Sequence, residues 1–107
     1  MVLEQYQIVL VNLDPTVGIE INKTRPYVVI SPNEMNRHLN TIVVAPMTST
    51  SKLYPTRIGV KHHGKNGWVV LDQIRTIDRK RIVKVFGLLN DKEIQKIKNV
   101  LKETFVD

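Results

Sequence analysis

Few side chains in this sequence can do acid–base, nucleophilic or metal chemistry. There are three histidines, His38, His62 and His63, and no cysteine. His62 and His63 are neighbours in sequence, so on a strand they point to opposite faces, and no carboxylate lies at helical spacing from either. A histidine metal site is therefore not expected. The absence of cysteine excludes a disulfide scaffold, cysteine-ligated zinc, iron–sulfur clusters and thiol catalysis. The five glycines, Gly18, Gly59, Gly64, Gly67 and Gly87, are too scattered to build a phosphate loop. This sets aside nucleotide hydrolysis and dinucleotide chemistry, and no Gly-x-Ser-x-Gly elbow presents a serine nucleophile. What remains is charge: 16 Lys and Arg against 10 Asp and Glu give a net charge of +6. Clustered cations gain from releasing counterions off phosphates, which favours a polyanionic partner. The basic run Arg75 to Lys84, interrupted by Asp78, suits either a charged groove or a solvated edge. Trp68 heads an apolar stretch and reads as core packing more readily than as a base-stacking platform.

The elements that must position any site are short. With 107 residues, 42% of them hydrophobic, the chain reads as a single domain, residues 1–107. Gln7 to Leu13, Tyr27 to Ser31 and Thr41 to Pro46 are β-branched runs bounded by Asp-Pro, Arg-Pro and Pro punctuation, which predicts strands. The third is apolar throughout, as expected of burial on both sides or at a sheet junction. Asp14 to Arg25 reads as a loop, Pro32 to Leu39 as a short helical turn, and the Ser/Thr-rich Met47 to Tyr54 as an exposed loop. Thr56 to Lys61 and Trp68 to Leu71, joined through His62 to Gly67, predict a β-hairpin, and Ile82 to Leu88 a further strand. At the C-terminus the period changes. Asn90 with Glu93 three residues later forms a capping box, and Ile94, Ile97, Leu101 and Phe105 fall on one helical face. Short strands followed by one amphipathic helix imply a mostly β fold, a small antiparallel, strongly curved sheet or barrel. The longest apolar run near the N-terminus, Ile8 to Val11, follows Glu4 without a basic leader. Neither a signal peptide nor a membrane span is expected, and a cytoplasmic protein is.

Four blocks stand out in order: Leu13-Asp14-Pro15-Thr16 with Gly18 and Glu20; Thr24-Arg25-Pro26 before the strand Val28 to Ser31; Ala45-Pro46-Met47-Thr48-Ser49; and Leu71-Asp72-Gln73-Ile74-Arg75-Thr76-Ile77-Asp78. Together they resemble the MazF/PemK (Kid) toxins of bacterial type II toxin–antitoxin modules. The resemblance implies an SH3-like, CcdB-like barrel, a homodimer, and an endoribonuclease (mRNA interferase) that cuts single-stranded mRNA at a short sequence. It also implies a cognate antitoxin whose acidic tail covers the RNA site. No metal or other cofactor and no membrane partner is expected. Two other readings differ in kind: an RNA-binding module that does not cut, and a CcdB-like gyrase inhibitor that needs neither Arg25 nor Thr48.

A ribonuclease without a metal can use the 2′-hydroxyl of its substrate as nucleophile, leaving a 2′,3′-cyclic phosphate and a 5′-hydroxyl. It needs a group to take or orient the 2′ proton, charge to stabilise the dianionic phosphorane, and a donor for the leaving oxygen. Arg25, matching the family's catalytic Arg, presents a fork of permanently charged donors to phosphate oxygens. Thr48, matching its catalytic Thr, can donate to a non-bridging oxygen. Glu20 also matches a position implicated in activity, and could accept the 2′ proton or hold Arg25. Asp72, matching a proposed base of Kid-type toxins, reads here as structural, ordering Arg75 or the Gln73 backbone. The chain departs from relatives at Ile19 and Val70, where the Kid-type toxin has His and Arg, and at Thr24, where another relative has His. Contacts to RNA are expected from Ser49, Thr50, Ser51, Lys52, Gln73 and Arg75. With aromatics at 6% of residues, base recognition should lean on polar side chains and backbone.

Overall fold

The computed structural model describes residues 2–13, 24–50 and 54–106. Seven strands and two helices follow one another as β1 (Gln7–Asn12), β2 (Thr24–Val29), α1 (Asn33–His38), β3 (Thr41–Thr48), β4 (Arg57–His62), β5 (Lys65–Val70), β6 (Arg75–Asp78), β7 (Ile82–Leu88) and α2 (Asp91–Phe105). Single 3₁₀ turns, Leu71–Gln73 and Arg79–Arg81, flank β6. All pairings are antiparallel, in the order β4-β5-β3-β2-β1-β7 with β6 added on β3. The expected curved antiparallel sheet with a C-terminal helix is what forms.

The two-residue period of the strands sorts the core into two clusters. Ile8, Val28, Ala45 and Met47 join Ile58, Val60, Val69, Leu71 and Ile97, with Ile94, Val100 and Leu101 of α2 packed against them. Their sequence neighbours Val9, Tyr27, Val29, Ile42 and Val44 point the other way, into a second cluster with Ile77 and Ile82. β3 is thus buried on both faces, as its unbroken apolar run predicts, and it is also the junction. Along one edge it pairs first with β6 (Val44 opposite Arg75) and then with β5 (Met47 opposite Val69). The gap between those ladders falls at Ala45 and Pro46, where the proline has no N–H to pair.

Several boundaries differ from expectation. β2 begins at Thr24, so Arg25 lies within a strand and not in a loop, and β3 runs on through Thr48. The hairpin strands reach Lys65 and His62, leaving His63 and Gly64 as the turn, both at positive φ (51° and 74°). β6 was not anticipated: in Arg-Thr-Ile-Asp only Ile77 is buried, so the segment carries charge but little hydrophobic pattern. The helix forms with its capping box complete, the Asn90 side chain accepting from Glu93 N and Glu93 from Asn90 N. Its final turn departs from the apolar face, because Phe105 is 55% exposed. The chain is fastened at its start by Tyr6, at φ 69°, which donates to Val29 O and accepts from Leu89 N.

Candidate active site

The start of β2, the end of β3 and the tip of the β4–β5 hairpin come together around one cleft of about 450 Å³. It is lined by Arg25, Pro26, Met47, Thr48, Ser49, His62, Lys65, Asn66 and Gly67. Arg25 is exposed, opposite Val11 of β1, and also borders a smaller recess with Val11, Leu13 and Tyr27. Thr48 sits opposite Trp68 in one of the two pairs that attach the hairpin to β3. Gly67 lies close to this strand end, and a Cβ there would touch the Thr48 carbonyl oxygen at 3.4 Å, at the edge of ordinary contact. The two residues expected to handle the phosphate, 23 positions apart in sequence, therefore share a cleft wall.

The Thr48 hydroxyl is already engaged. It donates to Thr50 O at 2.9 Å and receives the Thr50 N–H at 3.3 Å, a short side-chain turn that fixes its position at the end of the strand. A phosphate oxygen must compete with that carbonyl for the hydroxyl proton. Ser49 lines the cleft, while Thr50 is exposed beside it. Glu20, Ser51 and Lys52 lie outside the described residues. Gln73 and Arg75 are exposed but do not line the cleft, because the 3₁₀ turn carries the chain from β5 to β6 along the far part of β3. Asp72 has partners other than the expected Arg75 or Gln73 backbone. It accepts from Thr56 Oγ1 at 2.8 Å and lies 3.6 Å from Arg57 Nε, tying the start of β4 to the turn after β5.

His62, Lys65, Asn66 and Gly67 were not anticipated in the site. Nothing local in the sequence marks them; only the register of β5 on β3 brings them there. The two adjacent histidines also do not diverge. The left-handed backbone of His63 turns its ring back, so that the His62 and His63 centroids are 4.0 Å apart and both rings meet Phe86 edge-on, at 5.0 and 5.4 Å. Burial, and after it the charge of His63, holds the His62 imidazole below its ordinary pKa. Among the described residues no three His, Asp or Glu side chains gather to hold a metal ion.

A family model for PemK-like, MazF-like toxins of type II toxin–antitoxin systems matches residues 4–105. The chain belongs to this family. Endoribonuclease MazF of Staphylococcus saprophyticus is 29% identical over 98 residues, covering 86% of this chain and 82% of that protein. The crystal structure of MazF (Form-I) from Deinococcus radiodurans is 27% identical, with a TM-score of 0.77 over 96% of each chain. An endoribonuclease in complex with its cognate antitoxin, from a mycobacterial species, has the same fold at 22% identity, with a TM-score of 0.78 over 94% of this chain and 92% of that one. No helix among the described residues of this MazF-like toxin is long and apolar enough to cross a membrane.

Proposed function

We propose that this toxin is a sequence-specific endoribonuclease that cuts single-stranded mRNA by attack of the 2′-hydroxyl on the adjacent phosphorus. The products are a 2′,3′-cyclic phosphate and a 5′-hydroxyl, and no metal ion takes part. The observation that carries the reading is the meeting of Arg25 and Thr48, from separate strands, in one open cleft. Arg25 supplies the fixed positive charge for the phosphorane, and its forked donors match two non-bridging oxygens. Thr48, held by Thr50, offers a hydroxyl to one of them. Glu20 accepts the 2′ proton or holds Arg25. Ser49 and Thr50, and with them Ser51 and Lys52, contact the splayed bases, while Gln73 and Arg75 act further along the strand. The net charge of +6 suits both the RNA and an acidic antitoxin tail laid over the cleft. The active species is a cytoplasmic homodimer.

Incubating the purified, antitoxin-free protein with a long unstructured mRNA transcript in EDTA, with end-group analysis of the products, tests this reading. Cuts at one short sequence with cyclic-phosphate and 5′-hydroxyl ends are expected. Intact RNA in the presence of demonstrably folded protein overturns it, and binding without cutting leaves an RNA-binding module.

A further inference from the structure

Arginine and threonine leave two ionisable groups in the cleft unused, His62 and Lys65. Among the described lining residues Arg25, His62 and Lys65 carry ionisable side chains, and of these only an imidazole changes charge near neutral pH. His62 is also held in place: its ring lies against His63 on one side and edge-on to Phe86 on another, so few rotamers remain to it. The groups around it are neutral or cationic. They are His63 of the turn, Phe86 of β7 with the Lys84 ammonium 5.2 Å from its ring centre, and Lys65 of β5 and Arg25 of β2, which line the same cleft. The carboxylate bonded to the residue before His62, Glu93 of α2, is taken up by the N–H groups of Lys61 and Asn90.

We propose that His62 is the general base of the cleavage step, taking the proton of the attacking 2′-hydroxyl while Arg25 and Thr48 hold the phosphate. The inference rests on the ribonuclease reading above. As the O2′–P bond forms, the 2′ proton passes to the free ring nitrogen of His62. The P–O5′ bond breaks with its electron pair going to O5′, which takes a proton from a water molecule at the open mouth of the cleft. The imidazolium then returns its proton to solvent, so the enzyme is restored and atoms and charge balance. Burial and the neighbouring His63 favour the neutral imidazole, the form with the lone pair this role needs. An imidazole is also a better base at neutral pH than an unperturbed carboxylate, whose pKa is about 4.3. It supplies in the hairpin what the chain lacks at Thr24 and Ile19.

The test is the pH dependence of kcat and KM between about pH 5 and pH 8, on an oligonucleotide carrying the mapped cut site. It compares the wild type with His62→Gln, His63→Gln and Glu20→Gln. The wild-type kcat is expected to rise on an acid limb and then level. His62→Gln should lose about 10²–10⁴-fold in kcat, keep KM within a few fold, and lose the limb. His63→Gln should keep cleavage and move the limb to higher pH, because a cationic neighbour is gone. A His62→Gln protein with wild-type kcat and an unchanged limb overturns the inference, as does a limb that vanishes in Glu20→Gln instead. Wild-type protein that leaves RNA whole defeats the ribonuclease reading itself, and this inference with it. If His62→Gln does not fold, NMR titration of wild-type His62 with an oligonucleotide made 2′-deoxy at the cut site decides. A His62 ring whose resonances and titration ignore that ligand overturns the proposal.

Discussion

Arg25 and Thr48 are separable by what each loses. Arg25→Ala removes the fixed charge and is expected to abolish cleavage with little change in melting temperature, since the side chain is exposed and its strand is held by its neighbours. Retained cleavage would remove it from the mechanism. Thr48→Ala should slow the reaction about tenfold or more, the equivalent of about 1.4 kcal/mol. Thr48→Ser, which keeps the bond to Thr50, should lie much closer to wild type. Gly67→Ala offers a steric test: its new Cβ meets the Thr48 carbonyl, whereas one at Gly87 meets nothing within 4 Å. Any fall in cleavage should therefore be small in the first variant and absent in the second, when the two are assayed side by side. Arg25 and Thr48 were legible because each sits in a short motif. His62 and Asn66 were not, because their membership of the cleft is decided by the pairing of Met47 with Val69 and Thr48 with Trp68, which leaves no local trace.

The helix and hairpin set the stability of the cleft's surroundings. Asn90→Ala breaks the capping box and should cost about 1 kcal/mol. Ile97→Ala opens a void where α2 meets the first core cluster and should cost about 2–5 kcal/mol, measured by denaturant unfolding. The larger loss should accompany Ile97, because its side chain is completely buried while Asn90 is exposed. The helix, the hairpin and the long strands could be read from their periods and caps, whose causes are local. β6 could not, because a strand that adds to one edge of β3 needs only one buried side chain, Ile77, and the other three positions face solvent. Prolines misled in a consistent direction. Pro26 and Pro46 look like strand ends, yet both lie inside paired strands, Pro26 opposite Leu10 and Pro46 opposite Tyr27.

Over the whole molecule, charge and protonation give two further tests. A net charge of +6 predicts RNA affinity that falls steeply with salt, the logarithm of the association constant dropping linearly with the logarithm of salt concentration. A flat salt response would argue against a phosphate-binding face. Stability should respond to pH at both ends. The folded state lowers the His62 pKa, so the unfolded chain holds that proton to higher pH. The stabilisation is complete above the ordinary imidazole range and is lost as the pH falls through the folded value. Burial raises the Tyr6 pKa, so its contribution is complete below the ordinary phenol value and is lost as the pH rises through the folded one. Melting temperature followed across pH should decline on both sides, and a His62→Gln protein should lose the acid-side decline.

The division of the cleft among β2, β3 and the β4–β5 hairpin also governs when activity can arise during synthesis. A nascent chain that has emerged only through Thr48 has both residues proposed to handle the phosphate but lacks the hairpin wall and the Ile97 plug of the core. Ribosome-bound intermediates should therefore be inert toward RNA, and a toxin so arranged spares the message it is being translated from until the chain is nearly finished.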